Sequence, residues 1–370
     1  MLQVVSPMTR SEARSAPPLI DCRSVWKVFG TRAEKAIRAI SERGIGKTEV
    51  LKEFGCVVGV ADVSLTLEKG EIFCIMGLSG SGKSTLIRLF NRLIEPSLGQ
   101  ILVRGTDIAK MTEAQLREVR AKHVGMVFQN VALLPERNVL ENAAFGLEVR
   151  KVDKPTRLDA ARAALAKVGL ADWADRFPRE LSGGMQQRVG LARALAADPE
   201  IILMDEPFSA LDPLIRRQLQ DEFRQLSKNL GKSAIFITHD LDEAIRVGDR
   251  IAIMKDGAIV QVGTAEEIVL NPADDYVADF VAGISRLHLV KAHSMMHSVD
   301  AFRGARPDID VGTLPTASAE ADVEALIRIV LDERREAIAV HDAGALVGVV
   351  TLRSLLQGVK GKDLNEAMAL

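Results

Sequence analysis

Gly77 to Thr85 reads GLSGSGKST, with Gly77 and Gly82 separated by four residues and followed at once by Lys83 and Ser84. This is the spacing of a polyphosphate cradle. Such a cradle needs backbone N–H groups that can face an anion, a strand to deliver the loop, and a helix whose N-terminus points at the charge. Gly77, Gly80 and Gly82 let the backbone come close, and Ser79 and Ser81 complete the loop. Lys83 neutralises the β- and γ-phosphates, the Ser84 hydroxyl suits Mg2+, and Thr85 helps hold the α-phosphate. The apolar run Ile201–Met204 ends in Asp205 and Glu206. Asp205 can hold the metal through water, and Glu206 can polarise an attacking water as general base. Gln129 and His239 each follow another apolar run. The Gln129 amide can touch both metal and water, and His239 can sense the γ-phosphate. Taken alone, that glutamine is weak evidence, and a solitary histidine is more often structural.

A second stretch, SERGIGKTEV (Ser41 to Val50), also carries Gly-Lys before a hydroxyl. Counting back from Gly46 reaches Ser41 where the first glycine should stand, and a helical pattern precedes it instead of a strand. Gly44 to Thr48 is therefore expected to be a plain surface turn.

The elements that must position these residues are legible as periodicity. EIFCIMG, HVGMVFQ, EIILMDE and SAIFITH are near-continuous apolar runs, as for parallel strands covered on both faces. Leu19 to Gly30 reads as a strand ending in a turn, and the charged segment to Gly55 reads as mostly helical. Thr112 to Gln115 reads as a helix capping box. At 370 residues the chain can hold one large domain and a small one, and its 47% hydrophobic and 26% charged content is that of a globular protein. A net charge of −2 gives no bulk attraction to nucleic acid. Cys22, Cys56 and Cys74 are widely spaced, which favours a reducing compartment over a disulfide framework or zinc site. No apolar run approaches the roughly 20 residues that span a bilayer, and residues 1–19 read as a loose leader instead of a signal peptide. His288, His293 and His297 lie close together, the last two at helical spacing, but no carboxylate or cysteine at fitting spacing completes a metal set.

Ser182, Gly183 and Gly184 open a helix rich in Ala, Leu and Arg, a second anion nest about a hundred residues after the first. With LSGGMQQ (Leu181 to Gln187) in place, the chain resembles the ATP-binding cassette (ABC) family. The resemblance covers Walker A (Gly77–Thr85), the Q-loop (Gln129), the signature, Walker B (Ile201–Asp205, then Glu206), the D-loop SALD (Ser209–Asp212) and the H-loop (His239). It implies an α/β P-loop core with an antiparallel β subdomain and an α-helical subdomain near residues 130–190. It also implies a homodimer in which Ser182, Gly183, Gly184 and Gln186 of one chain, with Asp212, complete the partner's ATP-Mg2+ site. Adenine stacks on an aromatic in this family. Phe29 fits that slot, with Trp26 as the other choice.

VFQNVALLPERNVLENAAFGLEV resembles the importer segment where a cassette grips a coupling helix of the permease, and the insertion at 31–58 and MDEPFSALDPLIRRQLQDEF resemble the ATPase subunits of glycine betaine, proline betaine and choline importers. That implies a peripheral protein on the cytoplasmic face of the inner membrane. It would work with permease subunits and, indirectly, a periplasmic or extracellular solute-binding protein. Importers of histidine or another amino acid, and non-transport cassettes, are the alternatives. Residues 20–283 are expected to form the nucleotide-binding domain. Residues 284–370 resemble a small α/β regulatory module of the cystathionine-β-synthase (CBS) type, with one clear copy at Leu314 to Gly358. Thr351 there is followed by Leu352, Arg353 and Ser354, without the aspartate of nucleotide-gripping copies. Gating by ionic strength is implied by the resemblance alone. The tail carries ten Lys/Arg against twelve Asp/Glu from Gly283 on, so a lipid-binding patch at Arg334/Arg335 or Lys360/Lys362 is not favoured.

Overall fold

The computed structural model describes residues 17–129, 131–209 and 211–360. Most of the expected leader and Lys362 lie outside them. The chain parts into two compact units between Ala265 and Glu266, earlier than the expected boundary at 283. The reason is local: the Glu266 carboxylate accepts from the Lys291 N–H at 2.6 Å and Leu270 packs on the C-terminal core.

In the first unit the strands run, in chain order, β1 (Ile20–Phe29), β2 (Val57–Leu67), β3 (Ile72–Met76), β4 (Leu98–Val103), β5 (Thr106–Asp107), β6 (Val124–Val127), β7 (Ile201–Asp205), β8 (Ser233–Thr238), β9 (Arg250–Lys255) and β10 (Ala258–Gly263). One sheet has the order β10-β9-β3-β8-β7-β6. Its pairs are parallel except at the β10 edge. β3, β7 and β8 are buried at every position, which is why their sequences do not alternate. Because neighbouring strands are parallel, the residues that follow β3, β6, β7 and β8 emerge along one edge. The second sheet, β2-β1-β4-β5, is antiparallel. Phe73, Ile75, Leu86, Phe90, Leu203 and Ile235 share the core between the layers. The helices Val139–Val149, Lys154–Lys167 and Gly183–Ala196 form the helical region.

The insertion between β1 and β2 is two helices, Ala33–Arg43 and Lys47–Phe54. Trp26, Val28, Ile37, Val50 and Cys56 give it a small core of its own. Lys47 and Thr48 begin the second helix, so the expected surface turn is shorter than Gly44–Thr48. Gly44 ends the first helix by donating to the Ile40 carbonyl, and Gly46 caps the second, its N–H held by Glu49 at 2.9 Å. The capping box at Thr112 is present: Gln115 N–H donates to Thr112 Oγ1 at 3.3 Å, and Thr112 N–H to Gln115 Oε1 at 2.9 Å. All three cysteines are free and buried.

In the second unit, β11 (Thr316–Ser318), β12 (Ala337–Asp342) and β13 (Ala345–Thr351) form a sheet in that order, β11 parallel and β13 antiparallel to β12. The helices Val323–Glu333 and Leu352–Lys360 complete strand, helix, strand, turn, strand, helix. Val290, Val323, Leu326, Ile338 and Val350 form the core. Ser354 exchanges hydrogen bonds with Thr351 (N–H to Oγ in both directions, 2.9 and 3.1 Å) and so caps the last helix. His293 and His297 do not share a helix face. The helix Ala292–Met295 ends before His297, whose backbone pairs with Val349 at 2.9 Å. His288 instead faces Glu324 at 3.1 Å and Asp322 at 3.5 Å. Among the described residues no group of three or more His, Cys, Asp or Glu side chains is placed to hold a metal ion, and no helix is long and apolar enough to cross a membrane.

Candidate active site

β3 delivers the chain to Gly77. A side chain there would place Cβ 2.2 Å from the Met254 carbonyl, and at Gly82 2.1 Å from the Gly59 carbonyl, at φ of +151° and +106°. Both positions therefore require glycine. The helix Lys83–Phe90 follows, with no side chain capping its N-terminus. Its first N–H groups are thereby left to the loop. Ser81 Oγ is buried without a hydrogen-bond partner in the chain. Open N–H groups, an unpaired hydroxyl and a buried cation fit a nucleotide polyphosphate.

Lys83 is buried, and its ammonium donates to the carbonyls of Gly77 at 2.7 Å and Leu78 at 3.1 Å. Burial pulls its pKa below the ordinary lysine value, while Glu206 and Asp205 pull it back up. Asp205 is only 4% exposed. Burial raises its pKa, opposed by the hydrogen bond from Ser84 and the charge of Arg88. Ser84 Oγ donates to Asp205 Oδ1 at 2.9 Å, and Arg88 stands 3.8 Å from the other oxygen. The hydroxyl and the carboxylate assigned to Mg2+ are thus adjacent, and hard oxygen donors are what Mg2+ takes.

Glu206 follows β7 and His239 follows β8. Their side chains meet, Nδ1 to Oε2, at 3.2 Å. Glu206 has φ +47°, a conformation that costs energy in a residue other than glycine. Gln129 is exposed, and its amide donates to Ser209 Oγ at 3.3 Å. So Lys83, Ser84, Asp205, Glu206, His239 and Gln129 all emerge along one sheet edge. Phe29 is 41% exposed, while Trp26 is buried in the insertion core. A methyl on Gly59 would touch both the Phe29 ring and the Thr85 methyl, which puts Phe29 beside the loop. Ser182 and Gly183 are exposed at the start of a separate helix, where Ser182 Oγ accepts from Met185 N–H at 3.4 Å. The Gln186 amide donates to the Pro178 carbonyl at 3.0 Å. Asp212 is exposed and caps the next helix through Ile215 N–H at 3.1 Å.

Sequence reasoning missed Arg88, although it lies one helical turn beyond Ser84, a spacing that could have found it. It also missed Glu243, buried between Thr238 Oγ1 and Gln220 Nε2. A lone glutamate on a short helix gave no signal.

A family model described as ABC transporter matches residues 60–209. The glycine betaine/proline betaine transport system ATP-binding protein of Salmonella typhimurium is 48% identical over 358 residues, covering 95% of this chain and 86% of that protein. The trimethylamine N-oxide transport system ATP-binding protein of Ruegeria pomeroyi is 46% identical over 340 residues, covering 92% and 96%. Among solved structures, a dimeric post-hydrolysis ATP-binding cassette bound to ADP and Pi is 30% identical. It covers 66% of this chain and 98% of that one, with a TM-score of 0.56.

Proposed function

The chain belongs to the ABC transporter ATPases, and from that premise we propose that it powers uptake of a methylated-amine osmolyte, such as glycine betaine, proline betaine or choline. The observation that carries the chemistry is the pairing of Ser84 with Asp205 and of Glu206 with His239 at one strand edge. In this reading Lys83 and the Gly77–Thr85 N–H groups bind the polyphosphate. Ser84, Asp205 and Gln129 would hold a Mg2+, which would supply charge neutralisation for the transferring phosphoryl group. Glu206 takes the proton of the attacking water, and His239 orients Glu206 and reads the γ-phosphate. Phe29 offers its exposed face to the adenine. The exposed Ser182–Gly183 nest and Asp212 suit a second cassette docking head to tail, which supplies further charge stabilisation. Closure and reopening of that dimer would drive a permease at the cytoplasmic face of the membrane.

The solute class follows that of relatives that align over most of the chain, and these favour a betaine over histidine or another amino acid. The unit from Glu266 on is read as a CBS-like regulatory module that gates transport by ionic strength. Its strand-helix-strand-strand-helix order supports that reading. The aspartate that would grip a ribose is absent, and Ser354 in its place caps a helix.

The test is ATPase rate with the cognate permease in lipid vesicles, against glycine betaine, choline, proline and histidine, at low and high internal salt. Stimulation by a quaternary amine at high salt supports the solute and the gating. Stimulation by histidine, indifferent to salt, would keep the ATPase and remove both.

A further inference from the structure

None of these roles uses Arg216, on the helix Pro213–Leu230. Its Nη2 donates to the carbonyl oxygens of Ser209 at 3.2 Å and Leu211 at 2.9 Å. Its Nη1 stands 3.9 Å from the Asp240 carboxylate. These partners belong to two different loops. Ser209 and Leu211 lie on the loop that begins with Glu206, and Ser209 Oγ donates back to the Glu206 carbonyl at 3.1 Å. Asp240 directly follows His239.

Glu206 sits at φ +47°. A strained residue keeps its conformation only where its surroundings hold it. The downstream half of its loop is held by Arg216. The same helix steadies the other loop: Gln220, one turn beyond Arg216, donates to Glu243 at 2.9 Å, and Glu243 accepts from Thr238, just before His239. We propose that Arg216 is a positioning residue. It ties the Glu206 loop to the His239 loop and so fixes the approach of the two side chains. A guanidinium suits the task, because its Nη2 donates to both carbonyls while its charge faces the Asp240 carboxylate. Lysine can satisfy only part of that set.

This inference rests on the reading of Glu206 and His239 as the hydrolytic pair. The test is steady-state ATP hydrolysis by the full-length chain. Arg216→Ala is expected to lower kcat about tenfold or more, with KM for ATP and melting temperature held, and Arg216→Lys to recover part of the loss. In a His239→Ala background, Arg216→Ala is expected to add little, because its effect runs through that histidine. A wild-type kcat in Arg216→Ala, or a full multiplicative loss on top of His239→Ala, overturns the tie. Should Arg216→Ala not fold, Asp240→Asn keeps the helix cap and removes the charge. Its kcat must fall with KM held, and an unchanged kcat overturns the tie as well. Full activity in both Glu206→Gln and His239→Ala would instead remove the pair reading beneath it.

Discussion

Gly77–Thr85 and Ser41–Val50 share Gly-Lys-hydroxyl and a following helix, yet they differ in what surrounds them. Before Gly82 stands a strand buried at every position. Before Gly46 stands an amphipathic helix that buries only Ala36, Ile37 and Ala39. Lys83 is buried against its own loop carbonyls. Lys47 reaches out to the exposed Asp256 at 3.8 Å. The charges near the true loop are displaced by burial: Lys83 lies below its ordinary pKa, and Asp205 and Glu243 lie above theirs. Near the lookalike, Arg43 and Glu53 shift because they pair with each other in open solvent, each favouring the other's charged form. Burial displaces the first set and mutual pairing the second, as expected of buried and exposed charges.

The sharpest break between the two is expected from alanine at the glycines. Gly82→Ala drives Cβ into the Gly59 carbonyl at a φ that side chains avoid, so nucleotide binding should be lost in a fluorescent-nucleotide titration. Gly46→Ala meets nothing within 4 Å at φ −84°, and should bind as the wild type does. Next in size, Ser84→Ala removes the hydroxyl beside Asp205. It should lower kcat about a hundredfold at ordinary Mg2+, with partial recovery as Mg2+ is raised. Recovery with Mg2+ separates a lost ligand from a damaged loop.

A smaller effect should appear in stability against pH. Burial holds the Glu243 pKa above the ordinary 4.5. A carboxyl with a raised folded pKa stabilises fully below its unfolded value, and that contribution is lost as pH rises through the folded value. Glu243→Gln keeps partners for Thr238 and Gln220 without the charge. Its melting temperature relative to wild type should therefore be highest at neutral pH, and the advantage should shrink towards pH 4.5. A difference independent of pH would contradict this. The smallest effect belongs to the lookalike: Arg43→Gln should leave ATP turnover unchanged and the melting temperature the same in high salt.

The parallel core was legible because strands covered on both faces must be apolar throughout, and β3, β6, β7 and β8 all read that way. The residues following them could be placed at strand ends from the sequence alone. The helix boundary at Lys47 was not legible, because Gly44 and Gly46 both read as turn formers, and only their dihedrals separate a helix end from a helix start. The unit boundary at Ala265 escaped for another reason. It depends on where Leu270 and Glu266 find partners, and those lie far along the chain. The sequence favours Phe29 over Trp26 for the aromatic slot, and Phe29 is the exposed one of the two while Trp26 is buried.

The most direct test of the account titrates ATP against Lys83→Ala and Lys47→Ala side by side, in the full-length chain with Mg2+ present. The account predicts that Lys83→Ala loses affinity by orders of magnitude while Lys47→Ala binds as the wild type does. Equal affinities in the two variants would contradict it and leave the cradle without its cation.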